Sequence, residues 1–128
     1  MMMKTLIAGL VVSTLAFGAY EAAAATTEPA AMGDTAKGKI WVDTKGMTLY
    51  SFDKDVAGKS NCNGECAVEW PPLAAAADSK AAGDWTIVAR DDGSKMWVFK
   101  GQPLYTFVDD KKAGDVSGDN VDGFHIVM

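Results

Sequence analysis

Short runs in which apolar and polar residues alternate fill most of the chain from residue 39 onward, with glycine and aspartate between them. A period of two places the apolar side chains on one face of a β-strand. The pattern predicts a mainly β fold with six strands, at residues 39–43, 47–53, 84–90, 95–100, 103–108 and 123–128. Residues 70–72 (Trp-Pro-Pro) are expected to be extended, because proline disfavours helix at the residue before it. The alanine-rich segment 73–82 is compatible with one or two helical turns.

The first 25 residues have the three parts of a secretory signal peptide. Lys4 provides a positive start, residues 6–20 form an apolar core, and the small residues 23–25 allow cleavage after Ala25. The alternative, a membrane-spanning helix, needs about 20 apolar residues, and this core is shorter. We therefore expect a protein that is soluble after cleavage, has no transmembrane span, and lies in the periplasm or outside the cell.

Residues 26–36 are small and polar and include Pro29, a composition that predicts a flexible tether. The β domain is expected to cover residues 37–128, since 128 residues have room for one ordinary domain. The 48% hydrophobic and 23% charged residues are typical of a soluble globular protein and exclude a disordered chain. The net charge of −5 provides no basic face for phosphates, so nucleic acid is not an expected partner.

Two cysteines, Cys62 and Cys66, enclose three residues that include the turn dipeptide Asn63-Gly64. In an oxidising compartment such a pair normally forms a disulfide. The spacing differs from the C-x-x-C of redox and zinc sites, and no histidine follows it as in haem attachment. We therefore expect a structural disulfide between Cys62 and Cys66, with redox chemistry as the weaker alternative.

An internal repeat relates two parts of the chain at a constant offset of 55 residues. Residues 46–55 (GMTLYSFDKD) and 101–110 (GQPLYTFVDD) share glycine, leucine, tyrosine, phenylalanine and the last aspartate. With the preceding strands, the repeats cover about residues 39–55 and 95–110. Two related β-hairpins that bury a shared face explain the duplication. The tyrosine and phenylalanine, two residues apart, are expected on one face of their strand and the leucine on the other.

The repeated residues resemble the signature of a bacterial secreted-repeat family of predicted lipoproteins with a Yx(FWY)xxD motif. Further segments agree with the family in the same order, including GKSNCNGECA at 58–67 and WPPL at 70–73. The resemblance implies an extracytoplasmic β domain of undefined biochemical role. The cysteine that carries the lipid in many members is missing, so a lipid anchor is not expected. The motif residues are Tyr50, Phe52 and Asp55 in the first copy and Tyr105, Phe107 and Asp110 in the second.

The motif residues each have two interpretations. Aromatic residues at a period of two usually belong to a core, and their duplication favours a core over an exposed ligand platform. Asp55 and Asp110 follow their strands where the chain must turn, so their carboxylates are expected to accept hydrogen bonds from backbone N–H groups. The alternative role for these carboxylates is ligation of calcium.

An acidic segment and the single histidine are the weak candidates for a metal site. Calcium prefers hard oxygen ligands, but the acidic spacing differs from that of an EF-hand loop. Imidazole and methionine sulfur suit copper(I), and His125 lies three residues before Met128. No cofactor is expected, and calcium or copper is the alternative. The candidate ligands are Asp109, Asp110, Asp115, Asp119, Asp122 and His125.

Catalytic motifs are missing from the sequence, including G-x-S-x-G, H-E-x-x-H and phosphate-binding glycine loops. The chain is therefore not expected to be an enzyme. The predicted function is non-catalytic binding or support in the cell envelope, with an unknown envelope partner. The alternative is a metal-handling or electron-transfer accessory protein of the periplasm.

Overall fold

A computed structural model describes residues 28–128 of the protein, and the signal peptide predicted at residues 1–25 lies outside them. Most of the regular structure in this range is β-strand. In chain order the elements are β1 Ala30–Thr35, β2 Gly38–Asp43, β3 Tyr50–Phe52, α1 Glu65–Glu69, β4 Trp85–Ala89, β5 Lys95–Phe99, β6 Gln102–Pro103 and β7 Phe124–Ile126.

The strands form three small antiparallel sheets, in the orders β1–β2, β3–β7 and β4–β5–β6. Isolated bridges connect the extended segments between them, and one of these bridges pairs Tyr50 with Tyr105. The described residues form a small, mainly β domain, which confirms the fold class that the alternation of apolar and polar residues predicts.

Three of the predicted strands are reduced to two or three residues in the structure. The strand predicted at 47–53 is β3 at Tyr50–Phe52, and the one predicted at 103–108 is reduced to β6. The one predicted at 123–128 is β7 at Phe124–Ile126. The backbone changes its pairing partner along these runs: Tyr50 pairs with Ile126 on one side and bridges Tyr105 on the other. Each ladder therefore spans only a few residues.

The prediction of a flexible tether over residues 26–36 is wrong for Ala30–Thr35, which form β1. This strand pairs with β2 in a register from Ala30 opposite Asp43 to Thr35 opposite Gly38. The turn between the strands uses Gly38 with φ of 102°, a conformation that glycine adopts at low cost. Small residues have weak β propensity, so the strand depends on its partner and on the burial of Ala30 in the core.

The alanine-rich segment 73–82 contains no helical turn, so that possibility is not realised. The Leu73 N–H donates to the Leu104 carbonyl over 2.9 Å, and the Ala75 N–H donates to the Lys95 carbonyl over 3.0 Å. Pairing with the second repeat therefore satisfies this backbone. The short helix α1 lies earlier and begins within the cysteine loop, where Gly64 precedes it with φ of 61°.

Two hydrophobic clusters share the interior, and the repeated Leu-Tyr dipeptides lie between them. Leu49 and Leu104 belong to the first cluster, whereas Tyr50 and Tyr105 belong to the second, and all four side chains are fully buried. Leucine and tyrosine thus point to opposite sides of the chain, as a β conformation requires. The first cluster also contains Ala30, Trp85, Trp97 and Val127, and the second also contains Cys62, Trp70, Met96 and Phe124.

A disulfide joins Cys62 to Cys66, as the sequence predicts. We expect Cys66→Ser to lower the free energy of unfolding by about 2 kcal/mol, because the open chain regains the entropy of a small closed loop. Chemical denaturation of both proteins measures the difference. Val68→Ser is the matched control, because Val68 is an exposed residue of the same helix and should change the stability little. Free thiols that react with an alkylating reagent in the native wild-type protein would contradict the prediction.

Candidate functional site

The two motif tyrosines lie opposite each other at the centre of the domain. The Tyr50 N–H donates to the Tyr105 carbonyl over 2.8 Å, and the Tyr105 N–H donates to the Tyr50 carbonyl over 2.9 Å. This mutual exchange is the hydrogen-bonded pair of an antiparallel ladder. Because equivalent residues of the two repeats exchange equivalent bonds, the repeats are related here by an approximate twofold axis.

The side chains of the motif cross from one repeat to the other. The Tyr50 hydroxyl donates to Asp110 Oδ2 over 2.7 Å, and the Tyr105 hydroxyl donates to Asp55 Oδ2 over 2.6 Å. Each tyrosine therefore binds the aspartate of the opposite copy. We call these two contacts the Tyr50–Asp110 junction and the Tyr105–Asp55 junction.

The Tyr50–Asp110 junction is buried and closed by the chain that follows Asp110. The other carboxylate oxygen of Asp110 accepts hydrogen bonds from the backbone N–H and the hydroxyl of Ser117. The Gly118 N–H donates to the Tyr50 hydroxyl oxygen over 3.1 Å. Burial raises the pKa of Tyr50 above its usual value, and the hydrogen bond to Asp110 raises it further. The phenol therefore remains a donor at neutral pH.

The Tyr105–Asp55 junction uses equivalent groups but is less deeply buried. The second oxygen of Asp55 accepts the Asn61 N–H over 2.6 Å. Desolvation raises the pKa of Asp55 above its usual value, although the hydrogen bonds from Tyr105 and Asn61 oppose this shift. Burial likewise raises the pKa of Tyr105, and its bond to Asp55 adds to the effect. In both junctions the aspartate accepts a backbone N–H as well as a phenol.

A buried cation, Arg90, extends the Tyr105–Asp55 junction. Its Nη1 donates to Ser60 Oγ over 2.9 Å, and its Nη2 donates to the Cys62 carbonyl over the same distance. Ser60 Oγ lies 2.6 Å from the Tyr105 hydroxyl. Since that hydroxyl gives its proton to Asp55, Ser60 is the donor to Tyr105. A continuous set of hydrogen bonds thus runs from the guanidinium of Arg90 to the carboxylate of Asp55.

Four aromatic rings form a stack beside the junctions, with the motif phenylalanines at its two ends. Phe52 stacks on Phe124 with ring centroids 4.2 Å apart, and Phe124 stacks on Trp70 at 3.8 Å. Trp70 then stacks on Phe107 at 4.1 Å. Phe52 and Phe107 are half-buried and pack against the second cluster. The repeated aromatics therefore belong to the edge of a core.

Three of the candidate aspartate ligands, Asp110, Asp115 and Asp119, have separate partners within the fold. Asp115 accepts two backbone N–H groups of the loop before it, and Asp119 accepts the Ile126 N–H and forms an ion pair with Lys37. Asp110 is used by Tyr50 and Ser117, as described above. Across residues 28–128, no three side chains of histidine, cysteine, aspartate or glutamate are grouped so that they could hold a metal ion.

His125 connects β7 to the end of β3 rather than to a methionine. Its Nδ1 lies 2.8 Å from Asn120 Oδ1, and its Nε2 lies 2.8 Å from Asp53 Oδ2. Met128, the nearest methionine in sequence, is largely exposed. Both ring nitrogens of His125 are therefore occupied by side chains of this chain.

A cleft of about 320 Å³ opens beside the Tyr105–Asp55 junction. One of its walls is formed by residues 51–57, and the other is the turn at residues 100–103. The space lies at the small end of the range for ligand pockets, roughly 300–1,000 Å³. We call it the repeat cleft, because its walls come from the two repeats.

The equivalent space beside the Tyr50–Asp110 junction is closed. The Thr48 hydroxyl donates to the Asp115 carbonyl over 2.6 Å. A Cβ atom built on Gly46 would lie only 2.9 Å from the Cβ of Ala113. On Gly101, which is equivalent to Gly46 in the repeat, the same atom would lie 3.9 Å from the Cβ of Ala57. The internal symmetry of the domain thus breaks at the repeat cleft.

Comparison with known families identifies the duplication. A family model described as a secreted repeat of unknown function matches the chain twice, at residues 31–74 and 86–127. The chain belongs to this secreted-repeat family. The match confirms the family resemblance that the repeated residues indicate. No curated protein and no solved structure matches the chain.

The two matches to the secreted-repeat family are wider than the repeats recognised from the sequence. The first contains nearly all of β1 together with β2 and β3, and the second contains most of β4 together with β5 and β6. The hairpin β1–β2 is therefore the counterpart of β4–β5, which explains why a strand occupies Ala30–Thr35. No helix within residues 28–128 has the length and apolar character needed to span a membrane.

Several residues that complete this secreted-repeat site were not singled out by sequence reasoning. Trp70 is fully buried in the aromatic stack, and Phe124 lies next to it. Ser60 and Arg90 extend the Tyr105–Asp55 junction. The Trp-Pro-Pro segment is the available signal for Trp70, since proline favours an extended backbone at the preceding residue and a tryptophan ring contributes a large apolar surface to a core. Nothing in the pattern around Arg90 indicates that its guanidinium is buried.

Proposed function

We propose that this secreted-repeat domain is a non-catalytic binding module that acts outside the cytoplasm and receives its ligand in the repeat cleft. The observation that carries the proposal is the difference between the two junctions. One is closed by Thr48 and Ala113, whereas the other leaves about 320 Å³ open between the repeats. A duplicated scaffold in which one copy of a junction is open is suited to holding a ligand.

The non-catalytic part of the proposal is supported by the use of the polar groups. The phenols of Tyr50 and Tyr105 donate to aspartates inside the fold, and both have raised pKa values, so neither is activated as a base. The two terminal nitrogens of the Arg90 guanidinium donate to Ser60 and to the Cys62 carbonyl. These groups hold the repeats together, and a catalytic group must instead be free to contact substrate.

The proposal is tested by blocking the repeat cleft. Val56 lines the cleft and is 58% exposed, so Val56→Arg places a long charged side chain across it without removing core volume. Val108→Arg is the matched control, because Val108 is also exposed and does not line the cleft. We expect the wild type and Val108→Arg to retain the same component of an envelope extract and Val56→Arg to lose it. Equal retention by all three proteins, or none, would overturn the proposal.

The same purified protein tests the metal-handling alternative. Its colour, its metal content and the change of its melting temperature on addition of calcium are measured together. We expect a colourless protein without stoichiometric metal and with an unchanged melting temperature. A stoichiometric metal or a calcium-dependent rise in melting temperature would replace the binding module by the metal-handling or electron-transfer function.

A further inference from the structure

The two walls of the repeat cleft carry opposite charges. The first wall includes the acidic residues Asp53 and Asp55, and the second includes the basic residue Lys100. Across the described residues, no carboxylate lies within ion-pair distance of Lys100, and its ammonium nitrogen lies 5.3 Å from the centroid of the Phe99 ring. A ligand with one positive and one negative group therefore matches both walls, whereas a ligand with a single charge matches only one.

The acidic wall can accept further hydrogen bonds. Asp55 gives one lone pair of each oxygen to Tyr105 and to Asn61. A carboxylate has about four acceptor positions, so two remain for a donor in the cleft. Asp53 is well exposed and contacts His125 through one oxygen. Because Asp55 is partly desolvated, a cation next to it would replace lost hydration.

Apolar residues belong to both walls of the cleft. Phe52, Val56 and Pro103 line the cleft together with the charged residues. A ligand body of a few carbon atoms gains contact with this surface, and the volume of about 320 Å³ excludes a folded macromolecule. Charge-assisted hydrogen bonds at each end would then fix its orientation.

We propose that the repeat cleft binds a small zwitterion, in which an ammonium and a carboxylate group are carried on a short apolar body. The ammonium group faces Asp53 and Asp55, the carboxylate faces Lys100, and the body lies against Phe52 and Val56. This is the chemistry of a free apolar amino acid. The inference rests on the proposed function, since it names the ligand class of the same cleft.

Three probes with one apolar body test the charge requirement in the purified protein. They are L-phenylalanine, phenethylamine, which lacks the carboxylate, and 3-phenylpropionate, which lacks the ammonium group. Isothermal titration calorimetry is expected to show saturable binding of L-phenylalanine. Because each charge contributes a charge-assisted hydrogen bond, the two analogues should bind about tenfold more weakly or worse.

Two substitutions assign the charges to the walls. Lys100→Asn removes the cation while asparagine tolerates the positive φ of 51° at this position. It should lower the affinity for L-phenylalanine about tenfold and leave the affinity for phenethylamine unchanged. Asp53→Asn should lower the affinity for both ligands. Lys45→Asn is the matched control, because Lys45 is equivalent to Lys100 in the repeat but belongs to the closed junction, and it should change neither.

The outcomes distinguish a failure of the zwitterion proposal from a failure of the binding-module proposal. An absence of saturable L-phenylalanine binding, or equal effects of Lys100→Asn and Lys45→Asn, overturns the zwitterion. If Val56→Arg still abolishes retention of an envelope component in that case, the binding module stands and only its ligand class is wrong. If retention is also insensitive to Val56→Arg, both proposals fail.

Discussion

Replacing Trp70 by alanine is expected to lower the free energy of unfolding by about 3–5 kcal/mol. Trp70 is 1% exposed and is stacked between Phe124 and Phe107. Its ring also fits so closely against the backbone that a Cβ atom on Gly118 would lie 2.7 Å from it. The loss is a large part of the roughly 5–15 kcal/mol that stabilises a domain of this kind. Chemical denaturation followed by circular dichroism measures the difference.

The two phenylalanines at the ends of the stack should contribute less to the stability than Trp70. Phe52→Ala and Phe107→Ala are each expected to cost about 3 kcal/mol, the lower end of the range for aromatic truncations, because both rings are half-buried. If both variants melt within a degree or two of the wild type, the motif aromatics are not core residues. They would then be the first candidates for an exposed ligand surface.

The second large effect is expected at the junctions, where the two motif tyrosines should differ. Tyr50→Phe removes the phenol that donates to the buried Asp110 and also leaves the Gly118 N–H without its acceptor. We expect a loss of about 3 kcal/mol, since a buried carboxylate left short of a donor is costly. Tyr105→Phe also removes the acceptor of the buried Ser60 hydroxyl, but it should cost less, about 1–2 kcal/mol, because Asp55 is partly exposed and water can replace the phenol there.

A double-mutant cycle separates the energy of the Tyr50–Asp110 contact from the other effects of Tyr50→Phe. Asp110→Asn is combined with Tyr50→Phe, and the coupling between them is compared with that of Tyr50→Phe and Asp55→Asn. Residues in direct contact show coupling energies, whereas residues without shared partners are nearly additive. The structure predicts strong coupling for Tyr50 with Asp110 and weak coupling for Tyr50 with Asp55. The reverse result would show that each aspartate serves its own repeat.

The sequence predicts the elements of this fold better than the contacts between them. Period-two alternation correctly identifies the strand character of β2, β4 and β5, because each of these strands packs on a neighbour along its length. It misses β1, whose alanine, glycine and aspartate residues carry little β propensity. That strand exists because β2 provides its hydrogen bonds and because the second repeat has a matching hairpin.

The candidate site is only partly readable from the sequence for a related reason. The offset of 55 residues identifies the two motif tyrosines as equivalent to each other, and likewise the two aspartates, but it does not indicate which tyrosine contacts which aspartate. The partner of Tyr50 is Asp110, and the partner of Tyr105 is Asp55. A local pattern contains no information about such an exchange. The burial of Arg90 beside Ser60 is likewise a tertiary effect.

The crossing of the two junctions has a consequence for how the chain reaches its native state. Asp55 contacts a tyrosine that lies 50 residues later in the chain, and Tyr50 contacts an aspartate that lies 60 residues later. Synthesis proceeds from the N-terminus, so the first repeat emerges with its phenol and carboxylate unpaired. Contacts of such long sequence separation close late and slow the folding reaction. The first repeat therefore cannot complete either junction on its own, and the second of the two junctions can form only once Asp110 has been made.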